Sequence, residues 1–300
     1  MYPKKKKEEY IASRLAREAL EDVNCPKQIA YEDIRPHFTK RGPYRTKEDL
    51  EEVILGVAVF SEYLKTRQAY RFHPVLAAEL NASTELNFRM QDLHLPCNAF
   101  YMDISECGMS VDGKTIIGVY ALNSIVEQMF AIVALLKISH DKVIFLKASM
   151  DYSDGETIQK SFSRMDGGHA NERSFYHLLF SLISYISSDE PDIVDKGKET
   201  IIVRAKNLRP APSITRHWDV GYRYVKLYQK TLGFVPTKEA LHCEKETHNS
   251  PRKHLRAAHW HTYLYGPGKK QRKVLWVAAT WVGTGDEDID VIHLAEKKEE

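Results

Sequence analysis

The sequence predicts an α+β fold with a helical N-terminal part, a small, mostly antiparallel sheet with packed helices, and a basic C-terminal β-hairpin. Three observations carry this. Apolar residues recur at helical spacing early in the chain and again over 171–187. Short β-branched and aromatic runs follow Pro96. Near the end, Gly266-Pro267-Gly268 separates two aromatic runs, as a hairpin turn does.

The elements follow in order. Residues 8–22 place Ile11, Leu15, Ala19 and Leu20 on one side of a helix. Residues 27–45 hold Pro36, Gly42 and Pro43 and read as a loop. Thr46 and Asp49 form a capping box with Asp in place of the usual Glu, opening a core-facing helix through Leu50, Val53, Ile54, Val57 and Leu64. Ala99–Ile104 reads as a strand, and Thr115–Leu122 as another after the turn Asp112-Gly113. Residues 124–137 return to helical spacing through Ile125, Met129, Ile132, Val133 and Leu136. Val143–Leu146 reads as a strand, and Asn171–Ser187 as a helix that Pro191 ends. Pro210 and Pro212 mark a connector, and Tyr222–Leu232 reads as a helix with Arg223, Lys226 and Lys230 along one side. Ala258–Tyr265 and Val274–Trp281 are the strands of the final hairpin, with Lys269, Lys270, Arg272 and Lys273 in its loop. This divides the chain into a helical region (1–95), an α/β core (96–205) and a basic C-terminal region (206–300) with a His/Trp-rich hairpin and an acidic tail.

Composition narrows the function classes. With 43% hydrophobic residues among 300, wholesale disorder is excluded. Cys25, Cys97, Cys107 and Cys243 show no CxxC spacing, which disfavours a disulfide scaffold or a four-cysteine zinc module and fits reduced thiols in a cytoplasm. The longest apolar run, Met129–Leu136, falls far short of the roughly 20 residues of a membrane span. The opening MYPKKKKEEY has no apolar stretch of a signal peptide. Charge is unevenly distributed within a total of +2: residues 204–281 carry sixteen basic and four acidic residues, net +12, whereas 283–300 carry seven acids and two lysines, net −5. The basic block reads either as a surface for nucleic acid or an acidic partner, or as a solvated face balanced elsewhere in the fold.

The densest chemistry lies in PRKHLRAAHWHTYLYGPG, residues 251–268. On a strand, His259, His261, Tyr263 and Tyr265 share one face, and Trp260, Thr262 and Leu264 the other. Three functional readings compete. His259 and His261 with His254 or His242 could bind a metal, although no carboxylate or cysteine of suitable spacing joins them. A histidine pair could act on RNA by acid–base chemistry, with Arg252, Arg256 and Lys273 neutralising the phosphate. The cluster could also be a recognition surface whose arginine forks and aromatic planes bind peptide, carboxylate or RNA. A fourth reading makes the tryptophans core and the histidines packing. Elsewhere, Asp103, Glu106 and Asp112 could hold a divalent ion but suit backbone-capping carboxylates better. The chain has no GxSxG, Walker A or GxGxxG motif, and adjacent His242 and Cys243 do not make a dyad.

RKHLRAAHWHTYLYGPG (252–268), followed by the strand of Trp276 and by Val282-Gly283, resembles the C-terminal signature of an anti-CRISPR family that inhibits type V-A systems by blocking production of the effector nuclease. Two more segments match in the same order: LPCNAFYMDIS (95–105), a strand ending in Asp-Ile-Ser, and LLFSLISYISSDEPDI (178–193), an apolar helix ending in Glu-Pro-Asp-Ile. The signature positions carried over are Arg252, His254, Arg256, His259, Trp260, His261, Tyr263, Gly266, Gly268 and Trp276. Lys253 departs from the pattern where a proline is expected, and Ala257-Ala258 replace a more basic, glycine-containing pair. The resemblance implies a recognition protein of a mobile element, without cofactor, metal or catalytic residue, acting in the bacterial cytoplasm. It implies binding of the nascent N-terminal segment of the effector, at the ribosome or its mRNA, and loss of that message. Arg252, His254, Arg256, His259, Trp260, His261, Tyr263, Arg272, Lys273 and Trp276 are the expected partner-binding residues. The alternative is a His-dependent or metal-dependent ribonuclease or toxin.

Overall fold

Helices cover both faces of one mixed sheet. The computed structural model describes residues 11–25, 29, 31–41, 44, 46–83, 86–125, 128–139, 142–152, 155–163, 170–202, 212–225, 254–256 and 258–282. In chain order the elements are α1 (Ile11–Asp22), α2 (Tyr31–Arg41), α3 (Lys47–Thr66), β1 (Gln68–Phe72), α4 (Pro74–Asn81), β2 (Ala99–Asp103), β3 (Ser110–Val111), β4 (Lys114–Ser124), β5 (Met129–Lys137), β6 (Val143–Asp151), α5 (Ile158–Ser163), α6 (Ala170–Ile186), β7 (Ile193–Ile202), β8 (Pro212–Val220), β9 (His254–Arg256), β10 (His259–Tyr265), β11 (Gln271–Val277) and β12 (Thr280–Val282). The main sheet runs β6-β5-β4-β2-β1-β8-β7, with β3 paired to β4. Strand β1 is parallel to both neighbours, and every other pair is antiparallel.

The class is α+β, as the sequence predicts, but the sheet is larger than expected because β1, β7 and β8 carry no clean alternation. Strand β1 is five residues long and follows α3 through a left-handed cap at Arg67 (φ 48°), whose N–H reaches the carbonyl of Tyr63. Strand β7 is interrupted at Gly197, where its register against β8 shifts.

The capping box forms as expected: Thr46 Oγ1 accepts from the Asp49 N–H at 3.1 Å, and Asp49 Oδ2 from the Thr46 N–H at 3.2 Å. Two expectations are overturned. Within 27–45, residues Tyr31–Arg41 are helical despite Pro36. Ile34 and Phe38 bury the inner side of α2, Pro36 faces solvent where its missing N–H costs least, and Arg35 forks onto Glu51 of α3 at 2.6 and 2.7 Å. Residues 129–137, read as helical, are strand β5. Ala131, Val133 and Leu135 pack against the α1–α3 side of the sheet, and Phe130, Ile132, Ala134 and Leu136 against the other. A strand buried on both faces reads as a continuous apolar run, which fits a helical template equally well.

The two faces hold two cores. On one, α1–α3 pack on Ala69, Tyr101, Tyr120 and Val133, and the Tyr120 hydroxyl donates to the carbonyl of Ala12 at 2.5 Å. On the other, α4 and α6 pack on Phe72, Phe100, Met102 and Ile132, and the C-terminal hairpin joins this core through Trp260, Val274 and Trp276. The second core thus positions the segment that the sequence marks for function.

Candidate functional site

The strands β10 and β11 form a hairpin, as expected, but the second strand begins at Gln271, so Arg272 and Lys273 lie on the strand and not in the loop; Trp260 stands opposite Trp276, Tyr263 opposite Lys273 and Leu264 opposite Arg272. A 3₁₀ turn, Pro267–Lys269, joins them, flanked by left-handed Gly266 (φ 75°) and containing Gly268 (φ 67°). Both torsions lie where a side chain would be strained, so these glycines set the turn. Trp281 stands apart from this hairpin, because β12 pairs with β9.

Alternation divides the hairpin into two kinds of surface. Trp260 and Trp276 lie edge to face at 5.0 Å, and Trp260 meets Phe88 at 5.6 Å. Both indole nitrogens are buried and make no hydrogen bond among the described residues. Val274 is buried beside them. The hairpin is fastened at the end of α6 as well: the Asp189 N–H reaches the carbonyl of Val274 at 3.3 Å, and Lys273 Nζ lies 3.3 Å from Asp189 Oδ2. Trp260→Ala removes the larger part of this anchor at a cost of about 2–3 kcal/mol. The expected result is faster amide exchange in β10 and β11 while β4 and β5 keep their protection; unchanged exchange in the hairpin would show that the tryptophans do not hold it.

The opposite face is open, with Tyr263 and Tyr265 42% and 45% exposed. Toward the tip the tryptophan face opens as well: Leu264 is 51% exposed, its cross-strand partner Arg272 is exposed, and so are Lys269 and Lys270 of the turn. The His261 and Tyr263 rings touch at 4.1 Å between centroids. Arg256 Nη2 lies 3.2 Å from His259 Nε2. A guanidinium only donates, so this Nε2 is the acceptor and the ring's other nitrogen carries the proton. The structure therefore brings Arg256, His259, Trp260, His261, Tyr263, Arg272, Lys273 and Trp276 into one hairpin and its neighbouring strand. His254 is placed by its backbone on β9, while Arg252, His242 and Cys243 lie outside the described residues.

Other candidates resolve into structural contacts. The Asp103 carboxylate accepts from the Ser105 N–H at 3.1 Å and the Ser105 hydroxyl at 2.7 Å, a local turn. No group of three or more possible metal ligands occurs among the described residues. Burial raises the thiols of Cys97 and Cys107 to about 11 and about 12, so they stay protonated near neutrality and are poor nucleophiles. Residues 222–225 are helical, and the rest of the expected 222–232 helix, with Lys226 and Lys230, lies outside the described residues. Arg223 reaches back to buried Asp192 at 2.7 Å, and the same carboxylate accepts from the Tyr224 N–H at 2.7 Å.

Sequence reasoning missed a polar row at the carboxyl ends of β2, β1 and β8. Asp103 pairs in register with Arg71, and Arg71 with Asp219. Arg71 donates to Asp219 from Nε at 3.0 Å and Nη2 at 2.7 Å, and Lys196 lies 3.2 Å from the same carboxylate. These residues are far apart in sequence, so only the pairing of β1 with both neighbours could have revealed them. Beside them, His73 caps α4 by accepting the Val75 N–H on Nδ1 at 3.2 Å. Burial lowers its pKa from 6.5, against the opposing pull of Glu106. The unfolded state therefore binds this proton more readily than the folded state, and stability falls as pH drops below 6.5. His73→Asn keeps a cap acceptor and is expected to flatten the acid side of a plot of Tm against pH; an unchanged slope would contradict this.

With the fold and the hairpin in place, residues 70–284 match the family model of AcrVA2-like proteins, the anti-CRISPR type V subtype A2 family. The chain belongs to that family. In structure it is similar to the crystal structure of AcrVA2, with a TM-score of 0.57 and 17% sequence identity over 90% of this chain and 92% of that one. At that identity the likeness shows a shared fold. No curated protein matches the chain in sequence. Membership in this anti-CRISPR family points to a non-enzymatic role and to a protein partner such as a CRISPR effector. No helix among the described residues is long and apolar enough to cross a membrane.

Proposed function

We propose that this member of the anti-CRISPR family suppresses a type V-A effector nuclease by binding the nascent N-terminal segment of the effector through the C-terminal hairpin, with loss of the effector's message during translation. The observation that carries the reading is the contrast among the three family-like segments. Asp103 in 95–105 and Asp192 in 178–193 are used by contacts inside the fold. In 252–268 the tryptophans anchor the hairpin, while Arg256, Tyr263, Leu264 and Tyr265 remain exposed and available to a partner. Exposed tyrosines and arginines supply large contact area and forked donors, the side chains that dominate recognition surfaces. An extended peptide can also add to an edge of the β10–β11 sheet, which pairs with no further strand among the described residues, with main-chain bonds giving affinity and neighbouring side chains giving selectivity. In this reading Trp260 and Trp276 position the surface, and Arg256, His259, His261, Tyr263, Arg272 and Lys273 meet the partner, joined by Arg252 and His254.

The test is a folded variant, Arg256→Ala with Tyr263→Ala, in cells producing the effector. Loss of suppression with an unchanged Tm is the expected result; full suppression would remove the hairpin from the mechanism. A second reading, ribonuclease action by the neighbouring His259 and His261, draws on their shared face. It requires the purified protein alone to cut labelled RNA, with or without divalent metal, and intact RNA under both conditions rejects it.

A further inference from the structure

The two edges of the main sheet are built differently. Edge strand β7 carries safeguards against further pairing: its register shifts at Gly197 (φ 81°), Asp195 accepts the Gly197 N–H at 2.7 Å, and Asp195 and Lys196 are exposed. Edge strand β6 has neither bulge nor proline, and its nine residues, VIFLKASMD, pair with β5 without a register shift. The hydrogen bonds at its two ends fix which way its backbone points. The Tyr152 N–H reaches the carbonyl of Gln128, and the Ile138 N–H that of Lys142, both at 2.9 Å. Residues 144, 146, 148 and 150 therefore bond to β5, and the N–H and C=O groups of Val143, Phe145, Lys147, Ser149 and Asp151 point away from the sheet. No strand among the described residues pairs with them.

Helix α3 covers the first half of this edge, where Phe60 packs on Phe145 at 5.5 Å between centroids. Ser149 and Asp151, beyond it, are exposed. On the other face an apolar groove runs between Ala148 and Met150 of β6 and Tyr176 and Leu179 of α6. The charges on this half are self-complementary. Lys147 and Asp151 share one face of β6. Neither makes an ion pair among the described residues, and Glu52 acts on Lys147 only through space. Two antiparallel copies of β6 centred on Ser149 set each Lys147 opposite the other copy's Asp151, with outward backbone groups facing outward backbone groups. Centring the pair on Lys147 would oppose two ammonium groups, and centring it on Phe145 would place the axis where α3 packs.

We propose that a second copy of this chain pairs with β6 edge to edge, antiparallel about Ser149, so that the main sheet continues through a two-fold axis. The contact is isologous: the Lys147–Asp151 pair forms twice, and Lys147, Ser149 and Asp151 exchange main-chain bonds with the other strand. The added strand borders the apolar groove beside α6.

Sedimentation equilibrium of the full chain over a dilution series is expected to reach twice the chain mass of 34.6 kDa. A chain that stays at 34.6 kDa at every dilution would overturn the proposal and leave the edge to an extended segment of another protein. Asp151→Lys and Lys147→Glu, each alone, are expected to weaken self-association at least about tenfold, because the axis repeats the like-charge contact. An equimolar mixture of the two variants restores both opposite-charge contacts and is expected to dimerise, a result that a folding defect in either variant cannot produce. Undiminished association of Asp151→Lys, or a mixture that remains monomeric, would contradict the register. Amide exchange supplies a second readout: Lys147, Ser149 and Asp151 are expected to be protected in the wild-type chain and to exchange faster in Asp151→Lys, while Leu146 and Ala148, bonded to β5, keep their rates. Equal rates at all five positions would also overturn the pairing. Neither readout involves the hairpin or effector suppression, so this pairing and the proposed function can fail separately.

Discussion

Gly118→Ala is expected to lower Tm by about 8 °C, from a cost of about 3 kcal/mol. A Cβ at this position on β4 would lie 1.9 Å from Tyr101 Oη, 2.3 Å from Cζ and 2.7 Å from Cε2. The ring is fully buried, packed against Tyr120 at 4.9 Å and Tyr63 at 6.3 Å between centroids, so it has little room to withdraw. Relief requires the sheet itself to shift where β2 and β4 pair, in the middle of the first core. Tyr101→Leu in the same chain is expected to recover part of the loss, giving a double variant more stable than the two single effects added together. A wild-type Tm for Gly118→Ala would mean that the ring does not lie over β4.

Triple substitution of Arg256, Tyr263 and Arg272 by alanine is expected to abolish effector suppression while moving Tm by less than about 2 °C. The three side chains are exposed, so their removal leaves both cores intact. Truncation of a tyrosine or arginine at the centre of an interface costs about 2 kcal/mol or more. Two such losses amount to about 4 kcal/mol, roughly a thousandfold in affinity. Trp260→Ala is the informative contrast: it also weakens suppression, but by loosening the hairpin, and its amide exchange changes whereas that of the triple variant does not. Suppression by the folded triple variant at wild-type level would place the partner surface elsewhere on the molecule.

The legible parts of the sequence were those with local chemical signals. The capping box of α3, the turn Asp112-Gly113 between β3 and β4, and the alternation of β10 each need only neighbouring residues, and each is present as expected. The face assignment of His259, His261 and Tyr263 against Trp260 follows from the same alternation. What misled was burial on both sides of β5, which erases alternation, and the exposed Pro36 of α2, which imitates a loop. What stayed hidden was long-range pairing: β1 lies between β2 and β8, and Arg71 meets Asp219 across 148 residues of sequence, so the row Asp103–Arg71–Asp219 has no local signature. The family-like segments 95–105 and 178–193 gain physical meaning only in three dimensions, where their carboxylates fasten a turn at the end of β2 and the helical turn at 222–225.

The most direct measurement expresses this protein together with a type V-A effector nuclease and an unrelated control, and quantifies both messages and both proteins. Selective loss of the effector's message and protein, abolished when codons for the effector's N-terminal segment are recoded to another peptide, is the predicted result. Equal loss of effector and control, or loss that persists after the recoding, would contradict recognition of the nascent chain.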